Sequence, residues 1–327
     1  SLHAYYRGNP EKLPAAELMR GNLEPQPACY RDPSARLATM DQQQVEGIWL
    51  FPTLGVLYEE AIKHDTEAVC TLFQGFNRWL AEDWPFAYEG RIFSAPYISL
   101  ADVDWACREL DWALSQDARI VVLRPAAPVT PQGPRSPGDV CFDPFWARVN
   151  ESGITTVIHT GNSGYSTNGY AREGFGRASI GMSRRPSVKN LVLGRAAHDF
   201  LFAVACDNLF ERFPNLRLAS IENGSGFLRD LLQNLHHAKE RNPWHFKEDP
   251  ELLFQEHVYM SPFWEDDLLE VLALMGPDRV LYGSDWPHME GLVQPRDILE
   301  EAPPLDPDIQ QKFLAGNTRR LTERSPA

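Results

Sequence analysis

The sequence predicts an α/β fold, a (β/α)8 TIM barrel in which parallel strands alternate with helices. Two observations predict it. Short apolar segments that suit buried parallel strands alternate with longer segments of helical periodicity from residue 34 onward. Several apolar segments also end in a polar or charged residue, which is typical of the catalytic end of such a barrel. A chain of 327 residues is long enough for one barrel domain.

The composition of the chain changes near residue 33. Residues 1–33 are rich in proline, glycine and polar residues and show no period, so we expect an irregular amino-terminal arm there. We expect the barrel domain over residues 34–327, with a polar, glycine-rich insertion loop at 162–186.

The first elements are indicated by a helix start and by apolar runs. Asp32 and Pro33 predict the beginning of a helix, with Asp32 as its N-cap. This helix leads into an apolar strand at 45–52, which a proline ends. A long helical segment at 56–82 then precedes a strand at 91–100.

The same alternation continues to the end of the chain. A helix at 103–115, with Trp105 and Leu110 facing inward, precedes a strand at 118–125, and a loop rich in proline and glycine follows at 125–142. The remaining helices are predicted at 143–152, 187–213, 225–240, 265–275 and 308–322. The remaining strands are predicted at 155–161, 216–224, 257–264 and 279–288.

The count of strands is one short of a complete barrel. We predict seven strands, beginning near residues 45, 91, 118, 155, 216, 257 and 280. A complete (β/α)8 barrel has one strand more. The additional strand should precede the first predicted helix, and nothing in residues 1–33 has the pattern of a buried strand. We therefore expect that the first strand is absent from this chain.

Polar side chains stand at the ends of five predicted strands: Arg124, His159, Glu222, Ser261 and Asp285. Each has a structural alternative, such as a core histidine for His159 or a turn residue for Asp285. Taken singly, Arg124 and Ser261 fit the structural interpretation better, and Glu222 fits both equally well. Because the carboxyl ends of barrel strands meet at one mouth, His159 and Asp285 together favour a site.

These residues suit metal-assisted chemistry. Neutral imidazole and carboxylate groups are ligands for Zn²⁺ and similar ions, and a bound ion can turn water into a nucleophile near neutral pH. An aspartate that contacts both metal and water can also act as a general base. His159 and Asp285 are the two good metal ligands, and Glu222 is a candidate third.

Other motifs carry less information. His288 lies just beyond Asp285, at the barrel mouth, where it could contact substrate. His198 lies on a helix with an apolar face, so a packed histidine is the favoured interpretation. The chain has no GxSxG nucleophile elbow and no nucleotide-binding glycine motif.

Charge and cysteine content narrow the classes of partner and compartment. A formal net charge of −14 disfavours nucleic acid and anionic membranes as partners. Five widely spaced cysteines, an odd number without a CxxC motif, favour reduced thiols and hence a cytoplasmic location. No apolar run is long enough to span a bilayer.

At this point the residues resemble a known family. The segments that carry the resemblance are VLYGSDWPH at 280–288, ERFPNLRLASIENGSGFL at 211–228, TTVIHTG at 155–161 and RLATMDQQQVEGIWLFPT at 36–53. They are similar to the amidohydrolase-related family that includes aminocarboxymuconate-semialdehyde decarboxylase. The resemblance extends from about residue 31 to the carboxyl terminus.

The resemblance implies a distorted (β/α)8 barrel of the metal-dependent hydrolase type, with one divalent metal, usually zinc. His159 matches the family's metal-binding histidine, and Asp285 matches its metal-binding and catalytic aspartate. Two features depart from the family. The metal-binding pattern of the first strand is missing, and Glu222 stands where the decarboxylases have a histidine. The first departure implies reduced metal occupancy.

We therefore expect a metal-dependent hydrolase that acts on a small organic acid or amide-like substrate through a metal-activated water. A decarboxylase on the same scaffold, or a barrel that has lost metal chemistry and serves as a binding protein, are the alternatives. Asp285, Glu222 and His288 are the expected catalytic residues. The expected substrate contacts are Arg124, Arg184, Arg185 and Trp286. The family resemblance also implies a homodimer.

Overall fold

Parallel strands and helices alternate in the computed structural model, which describes residues 26–165, 192–288 and 291–323. The six strands of the barrel wall are β1 (Ile48–Leu50), β2 (Ile92–Ser94), β3 (Ile120–Leu123), β6 (Thr155–His159), β7 (Arg217–Ile221) and β8 (Val258–Met260). A short antiparallel hairpin, β4 (Val129–Thr130) with β5 (Gly133–Pro134), lies in the loop predicted at 125–142.

All strands of the wall pair in parallel with their neighbours in chain order. β1 pairs with β2, and β3, β6, β7 and β8 form a four-stranded sheet. A bridge between Tyr97 and Val122 joins the segment after β2 to β3, and a bridge between Met260 and Val280 adds a seventh parallel segment. Within the described ranges no pairing joins this last segment to β1. The predicted α/β architecture with a parallel sheet is confirmed.

Thirteen α-helical segments are present in the described part of the chain: α1 (Pro33–Gln43), α2 (Thr53–Ile62), α3 (Thr66–Asp83), α4 (Val103–Ser115), α5 (Asp143–Ser152), α6 (Val192–Cys206), α7 (Leu209–Arg212), α8 (Leu228–Arg241), α9 (Pro250–His257), α10 (Leu268–Met275), α11 (Ile298–Glu301), α12 (Pro307–Gln311) and α13 (Asn317–Thr322). A π-helical turn, Lys312–Gly316, connects α12 to α13, and 3₁₀ turns occur at Ala28–Tyr30, Val140–Phe142 and Pro295–Asp297.

The helix starts follow from local capping. The Asp32 side chain accepts a hydrogen bond from the Ala35 amide at 2.7 Å, and Pro33 occupies the first turn of α1 as predicted. The Asp102 side chain caps α4 in the same way through the Trp105 amide at 2.7 Å. Trp105 and Leu110 are buried, so the predicted inward face of α4 is correct.

Several helices of the structure differ from the prediction for local reasons. The segment at 56–82 is two helices, because Asp65 caps a new helix through the Ala68 amide at 3.0 Å. The segment at 187–213 is interrupted by Asn208, whose left-handed φ of 54° ends the helical path between α6 and α7. Helix α9 was not predicted, because its eight residues are too few for a clear period.

The strands are buried between the helices, and the two ends of the barrel differ. β3 and β6 are buried along their whole length. At the amino end of β6, the Thr155 hydroxyl donates a hydrogen bond to the Leu321 carbonyl at 2.8 Å, so α13 covers that end. The carboxyl ends of the strands lie at the opposite face, where the polar residues at the strand ends are found.

Two predicted regions lie partly or wholly outside the described residues. Of the predicted arm, residues 26–33 are described, and they contain one 3₁₀ turn before α1 begins. Most of the predicted insertion loop, including Arg184 and Arg185, lies outside the described residues. Across the described helices, none is both long and apolar enough to cross a membrane.

Candidate active site

Three polar side chains predicted from strand ends occupy the carboxyl-terminal face of the barrel. His159 is the last residue of β6, and Glu222 directly follows β7. Asp285 follows the parallel segment at Val280. Because β6 and β7 are paired in register, with His159 opposite Ile221, the first two side chains lie next to each other.

His159 is held in one orientation. Its ring is buried, with 6% of the residue exposed, and packs against the Phe51 ring at a centroid distance of 4.6 Å. Nδ1 lies 2.8 Å from the Thr160 carbonyl oxygen, which only accepts, so Nδ1 carries a proton. Nε2 faces the Glu222 carboxylate, with an N–O distance of 3.1 Å. A proton or a cation between these two atoms would satisfy both groups.

Glu222 and Asp285 both adopt a left-handed backbone conformation. Their φ angles are 57° and 54°, which is uncommon for residues other than glycine. Such conformations cost about 1–3 kcal/mol each and persist where the surrounding structure fixes them, often at active sites. The two carboxylates therefore lie in backbone turns that the fold maintains at a local cost.

The Asp285 carboxylate is partly buried beside a histidine. Burial raises its pKa above the usual value, the hydrogen bond with His288 opposes that shift, and the negative charge of Glu222 raises the pKa further. The distance from Asp285 Oδ1 to His288 Nδ1 is 2.8 Å. His288 is 46% exposed at its side chain, so it connects the buried carboxylate to solvent.

The arrangement suits a divalent metal ion. One ligand atom each from Glu222, Asp285 and His288 lies within 4.8 Å of the others, and His159 Nε2 adjoins Glu222. Mixed carboxylate and imidazole donors are the set that Zn²⁺, Mn²⁺ and related ions prefer. The donor set therefore fits a metal ion, and it brings His288, predicted at the mouth, into the cluster itself.

Arg124 is close to the site face but is already paired. It is 4% exposed, and its Nη1 lies 2.7 Å from Glu60 Oε2 and 2.6 Å from the Asn162 carbonyl oxygen. Its Nε lies 3.6 Å from Glu59 Oε2. Internal carboxylates thus neutralise this charge, and the predicted contact of Arg124 with a substrate carboxylate stays a prediction.

The other predicted residues have different surroundings. Ser261 is buried at the end of β8. The Trp286 ring lies under the guanidinium of Arg36, whose central carbon is 4.5 Å from the ring centroid. Arg184 and Arg185 lie outside the described residues, so their role as substrate contacts stays a prediction.

A cluster around Asp199 was missed by sequence reasoning. Asp199 Oδ2 accepts a hydrogen bond from the Tyr165 hydroxyl at 2.7 Å, and the carboxylate also contacts Arg195 and His198. Burial opposes ionisation, but the hydrogen bonds from His198, Tyr165 and Arg195 together lower the pKa of Asp199 to about 2. His198 also stacks on Phe202 at 5.9 Å, in agreement with its interpretation as a packed histidine. Only the i, i+4 spacing of Arg195 and Asp199 could have indicated the cluster.

A sequence model of the family described as Amidohydrolase matches residues 29–322. Among solved structures, an amidohydrolase from Mycobacterium avium subsp. paratuberculosis K-10 is similar, with 36% sequence identity and a TM-score of 0.90 over 98% of this chain and 83% of that one. The chain also resembles a dihydroxybenzoic acid decarboxylase from Polaromonas sp. JS666, solved with bound manganese and the inhibitor 2-nitroresorcinol. That match has 17% identity and a TM-score of 0.67, covering 98% of this chain and 92% of the other.

A third similar structure is the 5-carboxyvanillate decarboxylase from Sphingomonas paucimobilis. It has 19% identity and a TM-score of 0.63, covering 96% of this chain and 88% of that one. At these identities the two decarboxylase structures support the fold.

Proposed function

Since this chain belongs to the amidohydrolase family, we propose that it is a metal-dependent hydrolase that acts on a small, carboxylate-bearing organic substrate. The observation that carries the proposal is the convergence of His159, Glu222, Asp285 and His288 at the carboxyl ends of the strands. A lone residue of this kind would fit a structural role, whereas two imidazoles and two carboxylates in one mouth form a set of metal and proton-transfer groups.

In this proposal His159 and Asp285 would hold the metal, and Glu222 would complete its ligand shell or orient the water. When bound, a divalent ion such as Zn²⁺ would supply Lewis-acid polarisation and make water a nucleophile near neutral pH. The Phe51 ring and the Thr160 carbonyl keep the His159 ring in place, with Nε2 directed toward Glu222.

Proton transfer is assigned to Asp285 and His288. A carboxylate whose pKa is raised by burial is a better base than an exposed one. Its hydrogen-bonded neighbour His288 is exposed and can pass the proton to solvent. Trp286, Arg184 and Arg185 remain the proposed contacts for the substrate.

A carboxy-lyase is the second candidate function. It is favoured by the similar structures of aromatic-acid decarboxylases, of which the one from Polaromonas sp. JS666 was solved with bound manganese. Against it, Glu222 stands where the decarboxylases of the resembling family have a histidine. Product analysis separates the two reactions, because hydrolysis adds water to the substrate and decarboxylation releases carbon dioxide. A panel of carboxylate-bearing amides, lactones and hydroxybenzoates, each with Zn²⁺ or Mn²⁺, provides the assay.

A substitution at Asp285 tests the proposed role of this residue. We expect Asp285→Asn to lower turnover of any substrate from the panel by about 100-fold or more, because it removes a general base and a metal ligand. Asp278→Asn is the matched control, since Asp278 is an exposed aspartate paired with Lys312 at 2.9 Å, in the same part of the chain. Wild-type turnover by Asp285→Asn would rule out the assigned role, and so would an equal loss in the control.

A third possibility, a barrel that binds small molecules without metal chemistry, is tested by metal content. A wild-type chain that takes up no divalent ion and turns over no member of the panel would favour it over both enzyme functions.

A further inference from the structure

The side chain of Trp286, next to the proposed catalytic aspartate, is held between two residues from the beginning of the described chain. The guanidinium carbon of Arg36, in α1, lies 4.5 Å from the centroid of the Trp286 ring. The ring of Tyr30 meets the same ring edge-on, with a centroid distance of 5.8 Å and an interplanar angle of 75°. Such geometries are the favourable ones for a cation and for an aromatic ring beside an indole.

Arg36 is a buried cation, and its contact with the Trp286 ring compensates for part of its lost hydration. Arg36 is 6% exposed, and among the described residues no ion pair joins it to a carboxylate. Its guanidinium carbon lies over the Trp286 face, and its buried Nη1 has no hydrogen-bond partner among the described residues. Removing a cation from water is costly without compensation, and the π face of a tryptophan is the strongest aromatic partner for one.

Backbone hydrogen bonds within the turn that carries Asp285 stabilise its conformation. The His288 amide donates to the Asp285 carbonyl at 2.8 Å, and the Leu292 amide donates to the Ser284 carbonyl at 3.0 Å. A Cβ on Gly291 would lie only 2.6 Å from the Ser284 carbonyl oxygen, so this close approach requires glycine. Trp286 is the side chain that ties this turn to α1.

We infer that Arg36 and Tyr30 are positioning residues, which hold Trp286 and thereby keep Asp285 in its left-handed conformation with its carboxylate directed at His288 and Glu222. The inference rests on the proposed function for the role of Asp285. It adds to that function a physical link between the amino-terminal helix and the catalytic turn. An uncommon backbone conformation persists only where its surroundings over-determine it, and the stack on Trp286 supplies the outer half of that constraint.

Hydrogen exchange followed by mass spectrometry tests the link without any assay of activity. Arg36→Met keeps an unbranched apolar stem and removes the guanidinium group with its charge. We expect the amides of Trp286, His288 and Leu292 to exchange about 30-fold faster in this variant, which is the scale of one desolvated cation–π contact. The amides of β6 and β7 should keep their wild-type protection.

Two further variants serve as controls. Arg31→Met removes an exposed arginine of the same segment, which contacts Gln26 and not Trp286, and it should leave all these amides unchanged. Arg36→Lys keeps the charge without the planar stacking group, so its exchange should lie between those of the wild type and Arg36→Met. If Arg36→Met does not fold, Trp286→Phe replaces it and should accelerate the same amides by a smaller factor.

Unchanged exchange at the turn in Arg36→Met, or in Trp286→Phe where that replaces it, would overturn the inference. So would faster exchange spread equally over β6 and β7, which would indicate a general stabilising role. An active wild type allows a second readout, since kcat should fall about tenfold with KM nearly unchanged, the scale expected when one cation–π contact no longer positions a base. If the wild type binds no metal and shows no turnover, the proposed function fails, whereas the exchange measurement still decides whether the stack fixes the turn.

Discussion

At Asp285, opposing local effects set the properties of one carboxyl group. Burial and the neighbouring charge of Glu222 raise its pKa, while the hydrogen bond with His288 lowers it. The result is a carboxyl group with a raised pKa that keeps a direct route to solvent through an exposed imidazole. A raised pKa and a route to solvent are both properties that favour a general base.

Asp199 shows the opposite case, and its pKa leads to a prediction about stability. Its folded-state pKa of about 2 lies below the usual 3.8, so it stabilises the fold above pH 4 and loses that contribution as the pH falls toward 2. We expect Asp199→Asn to lower the free energy of unfolding at pH 7 by about 1 kcal/mol, because solvent screens a partly exposed carboxylate. Urea denaturation of both proteins between pH 2 and 7 checks this.

The difference between the wild type and Asp199→Asn should shrink as the pH falls through this window. Asp230→Asn is a suitable control, because Asp230 is 72% exposed and lies 3.5 Å from the same histidine, His198. A difference for Asp199→Asn that is constant down to pH 2 would contradict the pKa on which the prediction depends.

The sequence predicts those site residues that directly follow a buried parallel strand. His159, Glu222 and Asp285 follow buried strands, so their convergence could be anticipated from the parallel order alone. His288 was expected at the mouth beside Asp285, but its direct contact with that carboxylate was not, because this contact depends on the turn closed by the hydrogen bond from the His288 amide to the Asp285 carbonyl. The partners of Arg124 were also out of reach, since Glu60 is 64 positions away along the chain.

At the scale of elements, α2 connects several strand ends at the site face. Its Glu59 accepts hydrogen bonds from the hydroxyls of Tyr97 and Ser99, and its Glu60 pairs with Arg124. The carbonyl of Val56 also accepts a hydrogen bond from the Asn162 amide at 3.0 Å, in the loop that follows β6. Helix α2 therefore packs against the loop next to His159, and its ion pair with Arg124 is one of the contacts that fix this position.

We predict that Arg124→Met destabilises the protein through α2. The substitution leaves Glu59, which is 4% exposed, without its counter-charge, and breaking a buried ion pair in this way typically costs about 3–5 kcal/mol. Thermal and urea denaturation measure the loss. Arg229→Met is the control, because Arg229 and Glu270 form an exposed pair that contributes about 0–1 kcal/mol. Equal stability of Arg124→Met and the wild type would refute the structural role and favour a substrate contact.

Element boundaries were predictable where caps mark them. Asp32 and Pro33 set the start of α1, and the predicted bounds of α4 and α5 agree with the structure. The division between α6 and α7 was not predictable, since Asn208 is compatible with a helix until its left-handed φ is seen. The last predicted strand is reduced to one bridge at Val280, because the chain turns away toward Asp285.

For the whole molecule, the parallel order of seven segments places β1 and the segment at Val280 at the two ends of the array, as far as the described residues show. A strand at the end of a sheet has unpaired amides on one side. We expect amides of β1 to exchange faster than those of β6 and β7, which are paired on both sides. Hydrogen exchange resolved to these strands checks the expectation, and equal protection of β1 and β6 would show that another segment covers β1.

The α/β architecture was predictable because apolar strands and amphipathic helices alternate over the whole barrel domain. Whether the wall closes was not predictable, because strand pairing between distant segments leaves no local pattern. The strand count predicts a missing neighbour between the segment at Val280 and β1, and within the described ranges no pairing joins these two.

The central claim is that His159, Glu222, Asp285 and His288 form a site for one divalent metal ion, and metal content tests it most directly. The wild type, Asp285→Asn and Asp278→Asn are each incubated with Zn²⁺ or Mn²⁺, dialysed and measured by elemental analysis. Because four donor groups converge at the site, we predict close to one ion per chain in the wild type and in Asp278→Asn, rather than the reduced occupancy that the missing first-strand pattern implies. We predict a large loss in Asp285→Asn. A wild type without metal, or the same metal content in Asp285→Asn, would contradict the claim.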